Sequence, residues 1–330
     1  MTIVTDHSWQ PLVAFNRGEL LIVQVEEVIK RFKGTLALDC LNLSVEAGQV
    51  VGLLGPNGAG KTTSIRAIIG LLGVDEGRIT VFGQKQDGRS KEIKRRIGYV
   101  TQELTVYDEM SARANLEFFG GLYGVSGSLL RERVEAVAAL LGLEDRLDDR
   151  VGTYSGGMKR RLNIGCSLLH EPELVIMDEP TVGIDPQSRN FILEFVRRLA
   201  AGGTSIIYSS HYIEEVEAVA SRIYIIDQGH TIASGTLPEL IARIQGDSHI
   251  LVDVRLASEE VREQLRAIPD VKDAVLDDNQ YHIVVPGGIS VFDQIIPLLS
   301  PLSIVNINSK QPDLEDVFLT LTGKQLRDEA

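Results

Sequence analysis

Only two cysteines, Cys40 and Cys166, occur in the 330 residues, too few and too widely separated for a disulfide framework or for paired metal-ligand spacing. A reducing, cytoplasmic setting suits such a chain. Basic residues are outnumbered, 33 Lys and Arg against 46 Asp and Glu for a net charge of −13, which argues against broad electrostatic capture of a nucleic-acid backbone. Long apolar runs are missing too. The stretch from Ile295 to Val305 is broken by Pro297 and Pro301 and falls short of the roughly 18–20 residues that span a bilayer. If the protein serves a membrane, another chain must cross it. The first twenty residues carry Asp6, His7, Arg17 and Glu19 without a continuous apolar segment, so no secretory signal is expected.

What remains is a composition of 44% hydrophobic, 5% aromatic and 24% charged residues, that of a globular chain able to bury a sizeable core. The length favours two domains, or one large domain with appendages. Leu21 to Val28 and Leu41 to Val45 read as half-exposed antiparallel strands. Gln49 to Leu54, Leu174 to Met177 and Ser205 to Tyr208 are apolar without alternation, the pattern of strands buried on both faces of a parallel sheet. Gln187 to Ala201 reads as the helix of a right-handed crossover between the last two. Leu129 to Leu141 and Met158 to Leu169 have helical spacing, within a helical insertion expected at about 84–170. From His249 onward the pattern becomes βαββαβ, a small ferredoxin-like α+β domain with a last helix from about Asp313.

Gly55-Pro56-Asn57-Gly58-Ala59-Gly60-Lys61-Thr62 fits G-x-x-x-x-G-K-S/T between a strand and the helix-like segment that begins at Thr63, the context of a phosphate-binding loop. Glycines let backbone N–H groups approach phosphate closely, Lys61 brings a charge to the β and γ phosphates, and Thr62 offers a hydroxyl to Mg²⁺. The strand from Leu174 runs into Asp178-Glu179-Pro180, placing two acids at the carboxyl end of a parallel strand, where ligands of such sheets bind. Asp178 suits a metal ion and Glu179 a water to be deprotonated. Tyr154-Ser155-Gly156-Gly157-Met158 precedes a helix, so a hydroxyl, two unobstructed N–H groups and a helix dipole form either a second anion site or an ordinary cap.

Together these motifs resemble the ATP-binding cassette (ABC) ATPase family over about 21–245. The resemblance makes Gly55 to Thr62 the Walker A loop, Gln102 the Q-loop residue, Tyr154 to Met158 the signature and Leu174 to Glu179 Walker B. It also makes Asp185 the D-loop residue, His211 the switch histidine and Phe32 the aromatic that stacks on adenine. Tyr154 and Met158 depart from the commonest signature, whereas Ser155, Gly156 and Gly157 are intact. The implied fold is a P-loop NTPase cassette, with a parallel core sheet, antiparallel edge strands and a helical subdomain. The implied domains are an N-terminal tail 1–20, the cassette 21–247 and an accessory domain 248–330. The implied activity is hydrolysis of ATP with Mg²⁺, held by Thr62, Gln102 and Asp178. Catalysis falls to Glu179, His211 and Gln102, and nucleotide binding to Phe32 and the loop through Thr63. Family likeness also implies that the signature of one subunit completes the nucleotide site of another, either a second copy or a paralogue.

Pro312 to Gly323 is similar to the tail of drug-, lipid- and polysaccharide-type ABC exporter ATPases, including the daunorubicin-resistance type. That similarity implies a polytopic membrane permease as partner, and a place on the cytoplasmic face of the cell membrane. Tyr107, Leu116, Phe118 and Phe119 are candidates to line the groove that receives the permease, although their spacing equally suits core packing. An importer ATPase is the near alternative. A soluble ABC ATPase acting on ribosomes or DNA is a remoter one, because the chain has neither two cassettes nor a long coiled-coil insertion. The triplets Lys94-Arg95-Arg96 and Lys159-Arg160-Arg161 read as solvated helix faces, and no nucleic-acid partner is expected.

Overall fold

The computed structural model describes residues 21–244, 247–286, 289–310 and 313–323. The expected tail 1–20 and Pro312 lie outside the described residues. The strands are β1 (Leu21–Phe32), β2 (Thr35–Glu46), β3 (Val50–Leu54), β4 (Glu76–Val81), β5 (Gln84–Lys85), β6 (Ile97–Val100), β7 (Leu174–Asp178), β8 (Ser205–Ser210), β9 (Arg222–Asp227), β10 (His230–Gly235), β11 (Asp247–Val254), β12 (Asp273–Asp277), β13 (Gln280–Pro286) and β14 (Ile304–Lys310). The helices are α1 (Lys61–Ile68), α2 (Lys91–Arg95), α3 (Ala112–Leu122), α4 (Gly127–Leu141), α5 (Gly156–Cys166), α6 (Pro186–Ala201), α7 (Ile213–Val219), α8 (Leu237–Arg243), α9 (Glu259–Arg266), α10 (Phe292–Leu299) and α11 (Leu314–Thr322).

The described residues divide into two compact units between Ser234 and Gly235, with α8 in the second. In the first unit a six-stranded sheet runs β10-β9-β3-β8-β7-β6, with β9, β3, β8, β7 and β6 paired in parallel. Every residue of β3, β7 and β8 is buried, which explains why the sequence does not alternate there. Both faces are covered. Val51, Leu53, Ile176 and Ile207 point into a core shared with α1 and the antiparallel sheet β2-β1-β4-β5, while Val175, Met177, Ile206 and Tyr208 point into one shared with α3 to α6. Within 84–170, β5 and β6 belong to sheets with the short α2 between them, and the run of helices from α3 to α5 begins at Ala112.

In the second unit β11 to β14 form an antiparallel sheet in the order β12-β13-β11-β14. Ile250, Val252, Tyr281 and Ile283 pack on Leu265 of α9 and on Ile295 and Leu299 of α10. Asp313 caps α11 with a reciprocal capping box to Asp316, and α11 packs on α8.

A histidine between elements of the first unit makes stability depend on pH. His170 stacks flat on Tyr123 with ring centroids 3.6 Å apart. Its Nε2 lies 3.0 Å from the Ile97 carbonyl oxygen, and its buried Nδ1 has no hydrogen-bond partner. A charged ring would need an acceptor at Nδ1. Burial, opposed by the bond to Ile97 and reinforced by Arg133, pulls the imidazole down from 6.5 to about 4. The unfolded chain therefore binds the extra proton. Stability from this group is complete above pH 6.5 and declines as pH falls toward 4, by up to about 3 kcal/mol. Denaturant titrations of His170→Gln should show a shallower decline across that window, and an unchanged slope would exclude His170 as its source.

Candidate functional site

Parallel pairing brings the carboxyl ends of β6, β7, β8 and β3 side by side, and each leads into a segment singled out from sequence. After β3, the loop from Gly55 to Gly60 turns into α1. Two of its glycines are sterically required: a Cβ at Gly55 would sit 2.2 Å from the Ile226 carbonyl oxygen, and Gly60 has φ of 106° with a Cβ position 2.9 Å from Ala37 O. A left-handed residue at the helix start is cheap only for glycine. The loop from Pro56 to Thr63, with Ala37, Gln102 and Glu179, walls a cavity of about 210 Å³. Lys61 is buried at its rim and donates to the carbonyls of Gly55 at 2.7 Å and Pro56 at 3.2 Å.

At the end of β7, Asp178 is 1% exposed, and its Oδ1 accepts from Thr62 Oγ1 at 3.2 Å and Ser209 Oγ at 2.8 Å. On β6, burial and the Asp178 carboxylate push the Tyr99 phenol up to about 12. The backbone of Glu179 is left-handed, with φ of 47°, and its N–H donates to Ser209 O and Oγ, both at 3.1 Å. Its Oε1 lies 3.1 Å from Lys61 Nζ and its Oε2 3.2 Å from His211 Nδ1. Burial raises the Glu179 carboxyl, but the bond to His211 and the charge of Lys61 outweigh it and hold the group below its ordinary value. The group is thereby kept ionised, the form in which a carboxylate can accept a proton.

Among the described residues no group of three or more His, Cys, Asp or Glu side chains is placed to hold a metal. Thr62 and Asp178 instead converge as two hard oxygen donors. That suits Mg²⁺, which takes one or two carboxylates and completes its shell with water and substrate phosphate.

The remaining predicted residues gather elsewhere in this unit. Ser155 caps α5 by accepting from the Met158 N–H at 3.2 Å. Tyr154 is buried and its hydroxyl donates to Arg146 O at 2.5 Å, so the departure from the commonest signature is absorbed in the fold. A Cβ at Gly157 would fall 1.9 Å from Ser188 Oγ, whereas one at Gly156 would meet nothing within 4 Å. Asp185 caps α6 by accepting from the Ser188 N–H at 2.9 Å, and Ser188 holds its carboxyl below the usual range. Ser155, Gly156, Gly157 and Asp185 are not in the cavity wall. Neither is Phe32, which is 45% exposed near the β1–β2 turn with Lys30 Nζ 5.5 Å from its ring centroid.

The basic triplets are not simply solvated faces. Arg160 is 4% exposed and donates to the carbonyls of Thr101 at 2.9 Å and Gln102 at 2.6 Å, which fixes the segment bearing Gln102 to the helix behind Ser155. Arg96 forms a two-bond pair with Glu173 and lies 3.8 Å over the Phe82 ring. The spacing of these residues is helical, but their partners lie far along the chain. Ala37, Ser209 and Glu215 also escaped the sequence reading, since no motif marks them.

A family profile described as ABC transporter matches residues 38–182, and one described as an AAA domain, putative AbiEii toxin, Type IV TA system, matches 150–217. The chain is 40% identical over 313 residues to the linearmycin resistance ATP-binding protein of Bacillus subtilis strain 168, covering 93% of this chain and 100% of that one. It belongs to the ABC transporter ATP-binding proteins. The ABC protein is also 38% identical to a daunorubicin resistance ATP-binding protein of Streptomyces coeruleorubidus, over 91% of its own length and 95% of the relative's. Against the Nod factor export ATP-binding protein I of Cupriavidus metallidurans the identity is 36%, over 93% and 99%. Among solved structures, cbiO1 of Clostridium perfringens, part of an ABC transporter complex, superposes with a TM-score of 0.63 at 26% identity over 76% of this chain and 97% of that one. The ADP conformation of another ABC cassette gives 0.59 at 28%, over 66% and 92%. The ABC protein is thus a nucleotide-binding ATPase with the fold expected of its cassette.

Proposed function

We propose that this protein is the ATP-hydrolysing subunit of an ABC-2-type exporter, driven by head-to-tail closure of two such subunits around Mg²⁺ and ATP. The observation that carries the reading is the convergence of Lys61, Glu179 and His211 at neighbouring strand ends. The loop N–H groups and the α1 N-terminus cradle the phosphates, Lys61 reaches the β and γ groups, and Phe32 stacks on the adenine. Thr62 and Asp178, with Gln102, would hold Mg²⁺, which would offset the charge of the phosphates. Glu179 takes the proton of the attacking water as its oxygen bonds to the γ-phosphorus, and the bridging oxygen leaves with ADP. His211 orients this pair, and Asp185 relays closure between sites.

Ser155, Gly156 and Gly157 contact the γ-phosphate of a second copy or a paralogue. Gly156 offers a clean test, because its Cβ position is open within the chain. In a hydrolysis-dead background, Gly156→Arg should leave nucleotide affinity intact and abolish Mg-ATP-dependent dimerisation in sedimentation. ATP-driven dimers of that variant would rule out the shared site.

The relatives' names, two of resistance proteins and one of an export protein, favour export over import. Among the described residues no helix is long and apolar enough to cross a membrane, so a polytopic permease supplies the path and holds this subunit at the cytoplasmic face. Tyr107 and Phe118, 45% and 42% exposed with ring centroids 5.5 Å apart, are the residues we assign to that contact, whereas Leu116 is core. The unit 235–330 is read as a ferredoxin-like accessory domain that regulates the pair.

A further inference from the structure

Glu215, in the first turn of α7, is 2% exposed, and the reaction as set out above does not use it. Its Oε2 accepts from three hydroxyls, those of Thr181 at 2.6 Å, Ser210 at 2.9 Å and Tyr208 at 3.0 Å. Its Oε1 lies 3.3 Å from Arg189 Nε, beside a cavity of about 410 Å³. Burying a carboxylate is costly unless its partners are specific. The positions of those partners are informative. Thr181 stands two residues beyond Glu179, and Ser210 immediately precedes His211. Ser210 Oγ also accepts from the Tyr212 N–H at 3.0 Å, so the backbone on both sides of His211 is tied to one carboxylate. Arg189 lies in the first turn of α6, and its N–H donates to Asp185 O at 3.0 Å. The left-handed backbone of Glu179 is a conformation that persists only where surrounding contacts impose it.

We propose that Glu215 is a positioning residue for ATP hydrolysis. It joins the chain after Glu179 and the chain around His211 into one rigid corner, and through Arg189 it links that corner to the helix capped by Asp185. The inference rests on Glu179 and His211 forming the hydrolytic pair. It requires Glu215 to govern turnover and not nucleotide capture, because none of its contacts reaches the phosphate loop.

The test uses the full-length protein with steady-state ATPase assays and titration of a fluorescent ATP analogue. Glu215→Ala removes every contact and should lower kcat roughly 10–100-fold, the scale expected for ångström-level misplacement of reacting groups, with KM and analogue affinity within about twofold. Glu215→Gln keeps one oxygen for the hydroxyls but loses the charge facing Arg189, and Thr181→Val removes a single hydroxyl. Each should give a smaller loss of kcat with the same unchanged affinity, so the proposal stays testable even where the alanine variant fails to fold. In a Glu179→Gln background, Glu215→Gln should add no further loss. Turnover within twofold of the parent in both Glu215→Gln and Thr181→Val would overturn the proposal, as would kcat and affinity falling together, the mark of a purely structural role. Full turnover in Glu179→Gln alone would overturn the hydrolytic pair instead, which keeps the two failures distinct.

Discussion

Glu179→Gln is expected to slow ATP turnover by about 10²–10⁴-fold, the usual contribution of a placed general base, with little change in nucleotide affinity. The two carboxylate oxygens of Glu179 are already divided between Lys61 at 3.1 Å and His211 at 3.2 Å. An amide of the same shape keeps the packing but cannot take a proton, and it presents an N–H₂ to a site already supplied with donors. Phosphate release measured beside binding of a fluorescent nucleotide separates the two effects. Turnover at the parental rate would remove Glu179 from the role of base.

The second large effect is expected from Lys61→Ala, which should weaken ATP binding roughly 10–100-fold, as follows from losing hydrogen bonds to a charged group. Lys61 is buried with Glu179, so its removal also takes the cation from one carboxylate oxygen while His211 stays on the other, a loss below the roughly 3–5 kcal/mol of a buried charge left with no partner. Urea denaturation should therefore show a less stable protein. Binding must be measured well below the unfolding transition, where the folded fraction is complete. Parental affinity in the folded variant would contradict the cradle assigned to this loop.

The contrast between these residues and Arg160 or Glu215 shows what made parts of the site legible. Gly55 to Thr62 occupy one continuous turn, so their spacing along the chain is their geometry, and the glycines stand where backbone clashes leave no other choice. Asp178 and Glu179 were legible because an apolar strand ends on them. Elsewhere proximity along the chain is a poor guide to the fold. The segment from Gln84 to Val100 adjoins the helices in sequence, yet β6 pairs with β7. Arg160 has the pattern of an exposed basic run, yet it is fixed to the carbonyls of Thr101 and Gln102. Arg222 to Asp227, which forms β9, is a short apolar run before Gln228-Gly229 and carries the same signal as β8.

By itself the sequence determined the nucleotide chemistry: the phosphate loop, the paired acids after a buried strand, the capped Ser-Gly-Gly helix start and the want of a membrane-spanning run. These are local properties, written in consecutive residues and readable without knowing what lies opposite. Tertiary structure alone decided which partners surround each buried charge. Lys61, Glu179 and His211 meet because β3, β7 and β8 are parallel neighbours in one sheet, and Glu215 reaches Thr181 and Ser210 because α7 folds back over that sheet. A charge can stay buried only beside a partner, and strand order, which no short motif encodes, sets who the partner is.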